Sequence, residues 1–335
     1  MNYLKHALYE LKTLGIQEVF WHTALYLTKS NYAKMQMAVL SEDYLSSMPI
    51  EEWEERLKST FKCRTGEILN LKNPQTFNEK IQWLKLYDNQ PVKSKLADKY
   101  GVREWVKSEI GEEYLIPLLG VWDSPEQVDF GALPDRFALK SSHGSDMILV
   151  VKDKSALDIK KTRKLMAQWL KIPFGLLNAE QHYHVIPRKI IAEQYIEQDD
   201  GNLYDYKIHC FNGKPEFIQV VGDRDWNTHS AKTTFYDTDW KMTPYAYGRP
   251  RYENKKPRPA QLDKLLAIAT RLCRDFAYVR VDLYLLDNGD IKFGEMTFHP
   301  LSGFGKWQPA EANLLMGQKI HLPGSQVHEA ERPDA

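Results

Sequence analysis

In the first third of the chain, apolar positions recur at helical spacing. In MNYLKHALYELKTLG, Leu4, Ala7, Leu8 and Leu11 share a face with lysines interleaved, and Gly15 closes the segment. Pro49, at a first-turn position, opens a second helix through EEWEERLKSTF, with Glu51 and Glu52 at the positive end of its dipole. Thr76-Phe77-Asn78-Glu79 is a capping box ahead of IQWLKLYD. VKSKLADKYGVREWVKSEIG then predicts one or two more helices, punctuated by Gly101 and Gly111. From Tyr114 the pattern changes. YLIPLLGVW, DRFALK and MILVV are short apolar or β-branched runs bounded by Gly, Pro, Asp and Ser, and they predict strands. A helix is expected over 155–170, and KIIAEQYI is the next strand. DYKIHCF and PEFIQVV flank Asn212-Gly213, a hairpin signal, and YVRVDLYLL and DIKFGEMTF flank Asn288-Gly289, a second one. Between them lie a basic, Pro-rich loop (TPYAYGRPRYENKKPRP) and a long helix, QLDKLLAIATRLCRDF. The polar tail beyond Pro323 is expected to be disordered. A helical first third followed by mixed elements predicts an α+β architecture.

Composition narrows the function. The chain has 335 residues, 43% hydrophobic and 27% charged, which is globular and long enough for two or three lobes. Lys plus Arg and Asp plus Glu both number 45, so no chain-wide field draws nucleic acid, and no nucleic-acid partner is expected. Cys63, Cys210 and Cys273 are too few and too scattered for a disulfide framework and fit a reducing compartment. No apolar run approaches the roughly 18 residues of a membrane span. The N-terminal segment reads as a docking helix, with peripheral membrane association as the alternative. The expected location is the cytoplasm, at most the inner face of the membrane.

The last hairpin brings carboxylates together. A two-residue type I′ turn at Asn288-Gly289 puts Asp287 opposite Asp290, Asp282 opposite Glu295 and Arg280 opposite Thr297, all of the latter on one face. His299, if the strand continues, points the same way. Facing carboxylates lie about 5 Å apart at Cβ and repel unless a cation sits between them. Mg²⁺ suits such a pair, because it takes hard oxygen ligands and substrate phosphates, and Arg280 adds anion-binding capacity. An exposed face of solvated charges with one Arg–carboxylate pair is the other reading.

A second candidate is DRFALKSSHGSDMILVV. Ser141, Ser142, Gly144 and Ser145 offer a run of backbone N–H groups beside Lys140, as in phosphate-cradling loops, although the spacing is not that of a Walker motif. A plain hairpin with a solvated lysine remains open. Lys99 after a helical run, Lys207 inside a strand and Glu193 at a strand end would each ordinarily be surface decoration.

Taken in order, NPQTFNEKIQWLKLYD, LADKYGVREWVKSEIGEEYLIPLLGVW, FALKSSHGS, IIAEQYIE, DYKIHCFNGKP and VRVDLYLLDNGDIKFGEMTFHPLSGF resemble the TupA-like ATP-grasp family, which is associated with teichuronopeptide and other bacterial surface-polysaccharide biosynthesis. The resemblance spans residues 65–310. It implies an ATP-grasp fold, two α+β lobes gripping ATP after a helical N-terminal region. The lobes would run over 91–196, with a phosphate flap, and 197–320, with a metal site. The helical region would be 1–90 and the disordered tail 321–335. Lys99 and Lys140 resemble the two lysines directed at nucleotide phosphates, and the loop 141–146 resembles the flap. Glu193, Gln194, Tyr195 and Ile196 resemble the linker that brackets adenine, and Glu197, Asp199 or Asp200 would take the ribose. Lys207 is similar to the γ-phosphate lysine. Asp282 and Glu295 resemble the Mg²⁺ ligands, and Arg280 the arginine that steadies the acyl-phosphate. Thr297 stands where the wider superfamily often has a ligating Asn.

The implied cofactors are ATP and Mg²⁺. The implied activity is amide formation through an acyl-phosphate, between an amino acid or amine and a uronic acid of a glycan or sugar nucleotide. A kinase acting on a sugar hydroxyl and a non-catalytic nucleotide-binding protein are the alternatives. The basic stretch, from Lys241 to Arg258, is a candidate contact for an anionic glycan, with Trp226, Trp240, Tyr245 and Tyr247 as candidate sugar-stacking aromatics.

Overall fold

The structure, a computed structural model, describes residues 42–198, 203–225, 230–251 and 255–324. The N-terminal segment, Asp199, Asp200, Trp226 and the tail from 325 lie outside the described residues.

The described chain opens with five helices: α1 (Glu42–Ser47), α2 (Ile50–Thr65), α3 (Phe77–Tyr87), α4 (Pro91–Ala97) and α5 (Val102–Glu109). Pro49 stands just ahead of α2, at the N-cap position, with extended backbone. The capping box of α3 forms as its sequence predicts. The Glu79 N–H donates to Thr76 Oγ1 at 3.3 Å, and Glu79 Oε2 accepts from the Thr76 N–H at 2.9 Å.

A four-stranded antiparallel sheet follows, in the order β1-β4-β2-β3. Its strands are β1 (Leu118–Trp122), β2 (Phe137–Ser141), β3 (Ile148–Val151) and β4 (Ile190–Gln194). Helix α6 (Ile159–Lys171) covers one face with Met166 and Trp169, which join Phe137, Leu139, Ile190 and Ala192 in one core. The expected start near Ser155 is a separate 3₁₀ turn, Lys154–Ala156, and α6 begins after Asp158, whose side chain accepts from the Lys161 N–H. A short α7 (Phe174–Leu177) leads back toward β4.

The second sheet has five antiparallel strands in the order β10-β9-β5-β6-β7. They are β5 (Asp205–Phe211), β6 (Lys214–Asp225), β7 (Ser230–Asp237), β9 (Tyr278–Leu285) and β10 (Ile291–Thr297). Helix α8 (Leu262–Cys273) buries Leu262, Leu265, Ile268, Ala269 and Leu272 against it, the stripe that helical spacing dictates. A second apolar cluster, built on Phe77, Ile81 and Leu84 of α3 with Phe211, Phe235 and Tyr278, closes that sheet's far end. Here β8 (Ala246–Tyr247) pairs with β11 (Trp307–Gln308), and α9 (Ala312–Gln318) packs on α3.

The two hairpins differ. Asn212 and Gly213 both have positive φ, +48° and +75°, as a type I′ turn requires. The β9–β10 turn is not the predicted two-residue one. The Leu286 N–H donates to Asp290 O at 2.9 Å, so Asp287, Asn288 and Gly289 form a three-residue tip with only Gly289 at positive φ, +84°. This shifts the outer ladder by one residue: Phe293 pairs with Leu283 and Ile291 with Leu285. A bulge at Gly294 then restores the register, so that Glu295 faces Asp282 and Thr297 faces Arg280 after all. β10 ends at Thr297. His299 does not continue the carboxylate row but packs on His182, ring centroids 4.8 Å apart.

Candidate active site

The site lies where the two sheets meet. One pocket is lined by Lys99, Arg103, Lys140 and Glu193 from the first sheet's side and by Phe293 and Gly294 of β10. Lys140 stands diagonally across from Glu193, whose direct partner on β2 is Ala138. Lys140 Nζ is 2.5 Å from Glu193 Oε2. Arg103 holds the other oxygen, Oε1, at 3.2 Å. Glu193 is 7% exposed, so it is not a strand-end carboxylate in solvent.

Lys99 occupies the turn between α4 and α5. Its N–H donates to Ser142 O at 3.2 Å and its ammonium donates to Gly144 O. The ammonium also approaches Glu295 Oε2 at 3.9 Å, which links the two sheets. Burial lowers the Lys99 pKa, and Glu295 partly offsets that.

On the second sheet, β5 is the central strand and pairs Lys207 with Asp282 of β9. Lys207 is therefore not edge decoration. It forms an ion pair with Asp282 and lies 3.3 Å from Asp205 Oδ2, and burial lowers its pKa. Arg280 clasps Asp282 with Nε at 2.7 Å and Nη2 at 2.8 Å. The same Nη2 donates to Thr297 Oγ1 at 3.1 Å and lies 3.5 Å from Glu295 Oε1. Burial opposes charge on both Arg280 and Asp282. Their mutual attraction wins, raising the Arg280 pKa and, with Lys207, lowering that of Asp282.

The loop after β2 is more tightly built than a flexible cradle. The Ser141 and Ser142 N–H groups donate to Met147 O and Lys189 O, both at 3.0 Å. The Ser141 hydroxyl meets His143 Nδ1 at 2.7 Å, and the Ser142 hydroxyl donates to Pro187 O at 2.7 Å. A Cβ on Gly144 would lie 2.6 Å from Phe174 Cγ, so packing demands this glycine. Residues 141–144 are buried and only the tip, Ser145 and Asp146, is exposed. The Ser141 and Ser142 N–H groups are thus committed to backbone carbonyls and are not left over for a ligand.

At the last position of β4, Gln194 is exposed. Tyr195 donates its hydroxyl to Glu197 Oε2 at 2.7 Å, and Arg136 pairs with Glu197 while lying 4.1 Å over the Tyr195 ring. Two of the aromatic candidates for sugar stacking are core residues: Trp240 and Tyr247 are each 2% exposed, and Trp240 stacks on Tyr236, while Tyr245 is half-buried against Phe217. Much of the basic stretch is already engaged. Lys241 pairs with Asp239, Arg258 with Asp263, and Lys256 donates to the Tyr204 hydroxyl.

Sequence reading missed three things. One is Arg103. The second is the buried Glu180 and His182, against which His299 packs, its Nδ1 3.9 Å from Glu180 Oε1. The third is the support of the loop after β10. From α3, Asn78 donates to Gly305 O, Gln82 to Ser302 O and Gly303 O, and Lys85 to Ser302 O at 2.6 Å. The spacing of Asn78, Gln82 and Lys85 on one helical face was the available signal. These bonds hold Leu301, Ser302 and Gly303 at positive φ.

Two antiparallel sheets, each backed by helices and meeting at a cleft of lysines, carboxylates and arginines, are an ATP-grasp arrangement. The chain belongs to the TupA-like ATP-grasp family, which it matches over residues 79–321. No curated protein matches the sequence. Similar solved structures include the ATP-grasp ligase PsnB complexed with minimal precursor, with a TM-score of 0.36 and 10% identity over 65% of this chain and 60% of that one. The D-cycloserine synthetase DcsG gives 0.37 and 14% identity, over 68% and 70%. A D-alanine–D-alanine ligase from Bacillus anthracis gives 0.37 and 15% identity, over 67% and 66%. The chain thus spans less than two thirds of the length of PsnB.

Proposed function

We propose that this chain is an ATP-dependent carboxylate–amine ligase, joining an amino acid or amine to a uronic acid of a bacterial surface polysaccharide or its precursor. One observation carries the reading: two runs of alternating charge meet in the cleft, Arg103–Glu193–Lys140 on one side and Lys99–Glu295–Arg280–Asp282–Lys207 reaching across to the other. With Asp205, five cations face four carboxylates. Such a near-balanced site takes up a polyphosphate only if more positive charge accompanies it.

The donor set fits Mg²⁺. Asp282, Glu295 and the Thr297 hydroxyl are hard oxygens on adjacent strands, and Glu295, with its side chain 33% exposed, is the more open carboxylate. When bound, Mg²⁺ neutralises charge on the phosphoryl oxygens. Lys99 and Lys140 hold the α and β phosphates and Lys207 the γ-phosphate, with residues 143–146 closing over them. Residues 193–196 flank adenine and Glu197 the ribose, between the lobes formed by the two sheets. A substrate carboxylate oxygen attacks the γ-phosphorus, and the bond to the bridging oxygen breaks to release ADP. The amine nitrogen then attacks the acyl carbon, phosphate leaves and the nitrogen loses a proton. Arg280, its Nε and Nη2 held by Asp282, would meet oxyanion charge as it develops with its remaining Nη1. The demand on the protein is chiefly positioning and charge neutralisation. The acceptor class is supported by the family resemblance rather than by the basic loop, whose cations are largely paired.

The test is ADP release with amino acids crossed against uronic-acid glycans, with products read by mass spectrometry. Amine-dependent ADP release with an amide product supports the ligase. A phosphorylated glycan formed without amine replaces it with a kinase.

A further inference from the structure

We propose that Arg103 is a positioning residue that lets Lys140 leave Glu193 for the nucleotide, an inference that rests on the ATP-binding reading above. Glu193 is a buried carboxylate shared between two cations, one on each oxygen: Lys140 at 2.5 Å and Arg103 at 3.2 Å. Arg103 is itself anchored, because its Nη2 donates to Ile116 O at 2.8 Å, just ahead of β1. The side chains of Arg103, Glu193 and Lys140 are 14%, 9% and 15% exposed, so water screens none of them well.

For Lys140 to hold a phosphate, its ammonium must give up some of its hold on Glu193. With Arg103 in place the carboxylate keeps a cation throughout that exchange. Without Arg103 the same movement would strand a buried, unpaired anion, and that penalty would be charged against nucleotide binding. Arg103 therefore raises nucleotide affinity without touching the phosphates. An ordinary structural arginine would stabilise the fold equally with and without nucleotide. A direct phosphate ligand would act whatever stood at position 193.

The experiment is calorimetric titration of the full chain with MgADP and MgATP, alongside melting temperature, for Arg103→Ala, Glu193→Gln and the double variant. Arg103→Ala should raise Kd about 10-fold or more, the scale of one lost charge-assisted hydrogen bond. In the Glu193→Gln background, where no anion is left to strand, the same change should move Kd less than about 2-fold. Arg103→Lys should fall between, because one ammonium cannot serve both Glu193 and Ile116 O. Equal losses in both backgrounds would make Arg103 a direct ligand and overturn the proposal. A lowered melting temperature with unchanged Kd would overturn it in favour of a structural role. If Arg103→Ala does not fold, the Arg103→Lys and Arg103→Lys/Glu193→Gln pair gives the same comparison. A wild-type chain that binds neither nucleotide defeats the functional reading itself; a chain that binds both without coupling defeats only this inference.

Discussion

Replacing either of the two facing carboxylates removes one negative charge from the same hairpin, yet the consequences should differ sharply. Asp282 is 2% exposed and neutralises two cations, accepting two hydrogen bonds from Arg280 and one from Lys207. In Asp282→Asn the amide presents an NH₂ to one of those cations, and Arg280 and Lys207 are left facing each other with too little negative charge between them. Breaking a buried pair of this kind costs about 3–5 kcal/mol, a large part of a typical total of about 5–15 kcal/mol. Glu295 has its side chain 33% exposed and meets its cations only at 3.5 and 3.9 Å. Pairs so open contribute about 1 kcal/mol or less, so Glu295→Gln should keep the wild-type urea midpoint while losing ligase turnover about 100-fold or more. Urea unfolding followed by circular dichroism, with turnover measured per folded molecule, separates the two. A wild-type urea midpoint for Asp282→Asn, or an equal loss of stability in both variants, would refute the division of labour.

Lys140→Ala should raise the Kd for MgATP about 10-fold as well as slow turnover, because a lysine on the α and β phosphates acts in the ground state too; unchanged affinity by calorimetry removes it from the site. Burial lowers the pKa of His143 to about 4 and those of His182 and His209 to about 3, against 6.5 unfolded. The unfolded chain therefore takes up these protons first, so stability is full above pH 6.5 and declines as pH falls toward 3. The slope is about 1.4 kcal/mol per pH unit for each histidine, and a flat unfolding free energy between pH 7 and 5 contradicts it. Gly294→Val should depress turnover more than the melting temperature, since a Cβ there would lie 3.0 Å from Asp282 O and would spread β10 from β9; wild-type turnover shows that the close approach is dispensable.

Local signals carried much of this structure. The capping box of α3, the type I′ turn at Asn212-Gly213 and the stripe of α8 depend on neighbours a few residues away, and each formed where the pattern put it. The Asp282–Glu295 pairing came out as read only because the three-residue tip and the bulge at Gly294 offset each other. What escaped was non-local. Nothing near Lys207 in sequence announces that β5 will pair with β9, 75 residues on, and turn an odd lysine into the partner of Asp282. Arg103 reads as one more charge on a short helix until β4 brings Glu193 to it across 90 residues. Ser141 and Ser142 looked like cradle residues because small polar side chains suit both a phosphate loop and a packed one. Only their committed N–H and hydroxyl groups distinguish the two.

The β9–β10 hairpin holds a further consequence. A two-residue tip without a bulge and a three-residue tip with one use the same number of residues between Asp282 and Glu295, so both bring the two carboxylates face to face. Gly294 therefore works as an expansion joint. Outside it, the tip can settle into whichever ladder best buries Leu283, Ile291 and Phe293. Inside it, the charged rungs keep their alignment. Drift in the outer half need not reach the inner half, and in relatives the length of the tip and the presence of the bulge should vary together, while the spacing from aspartate to glutamate stays constant.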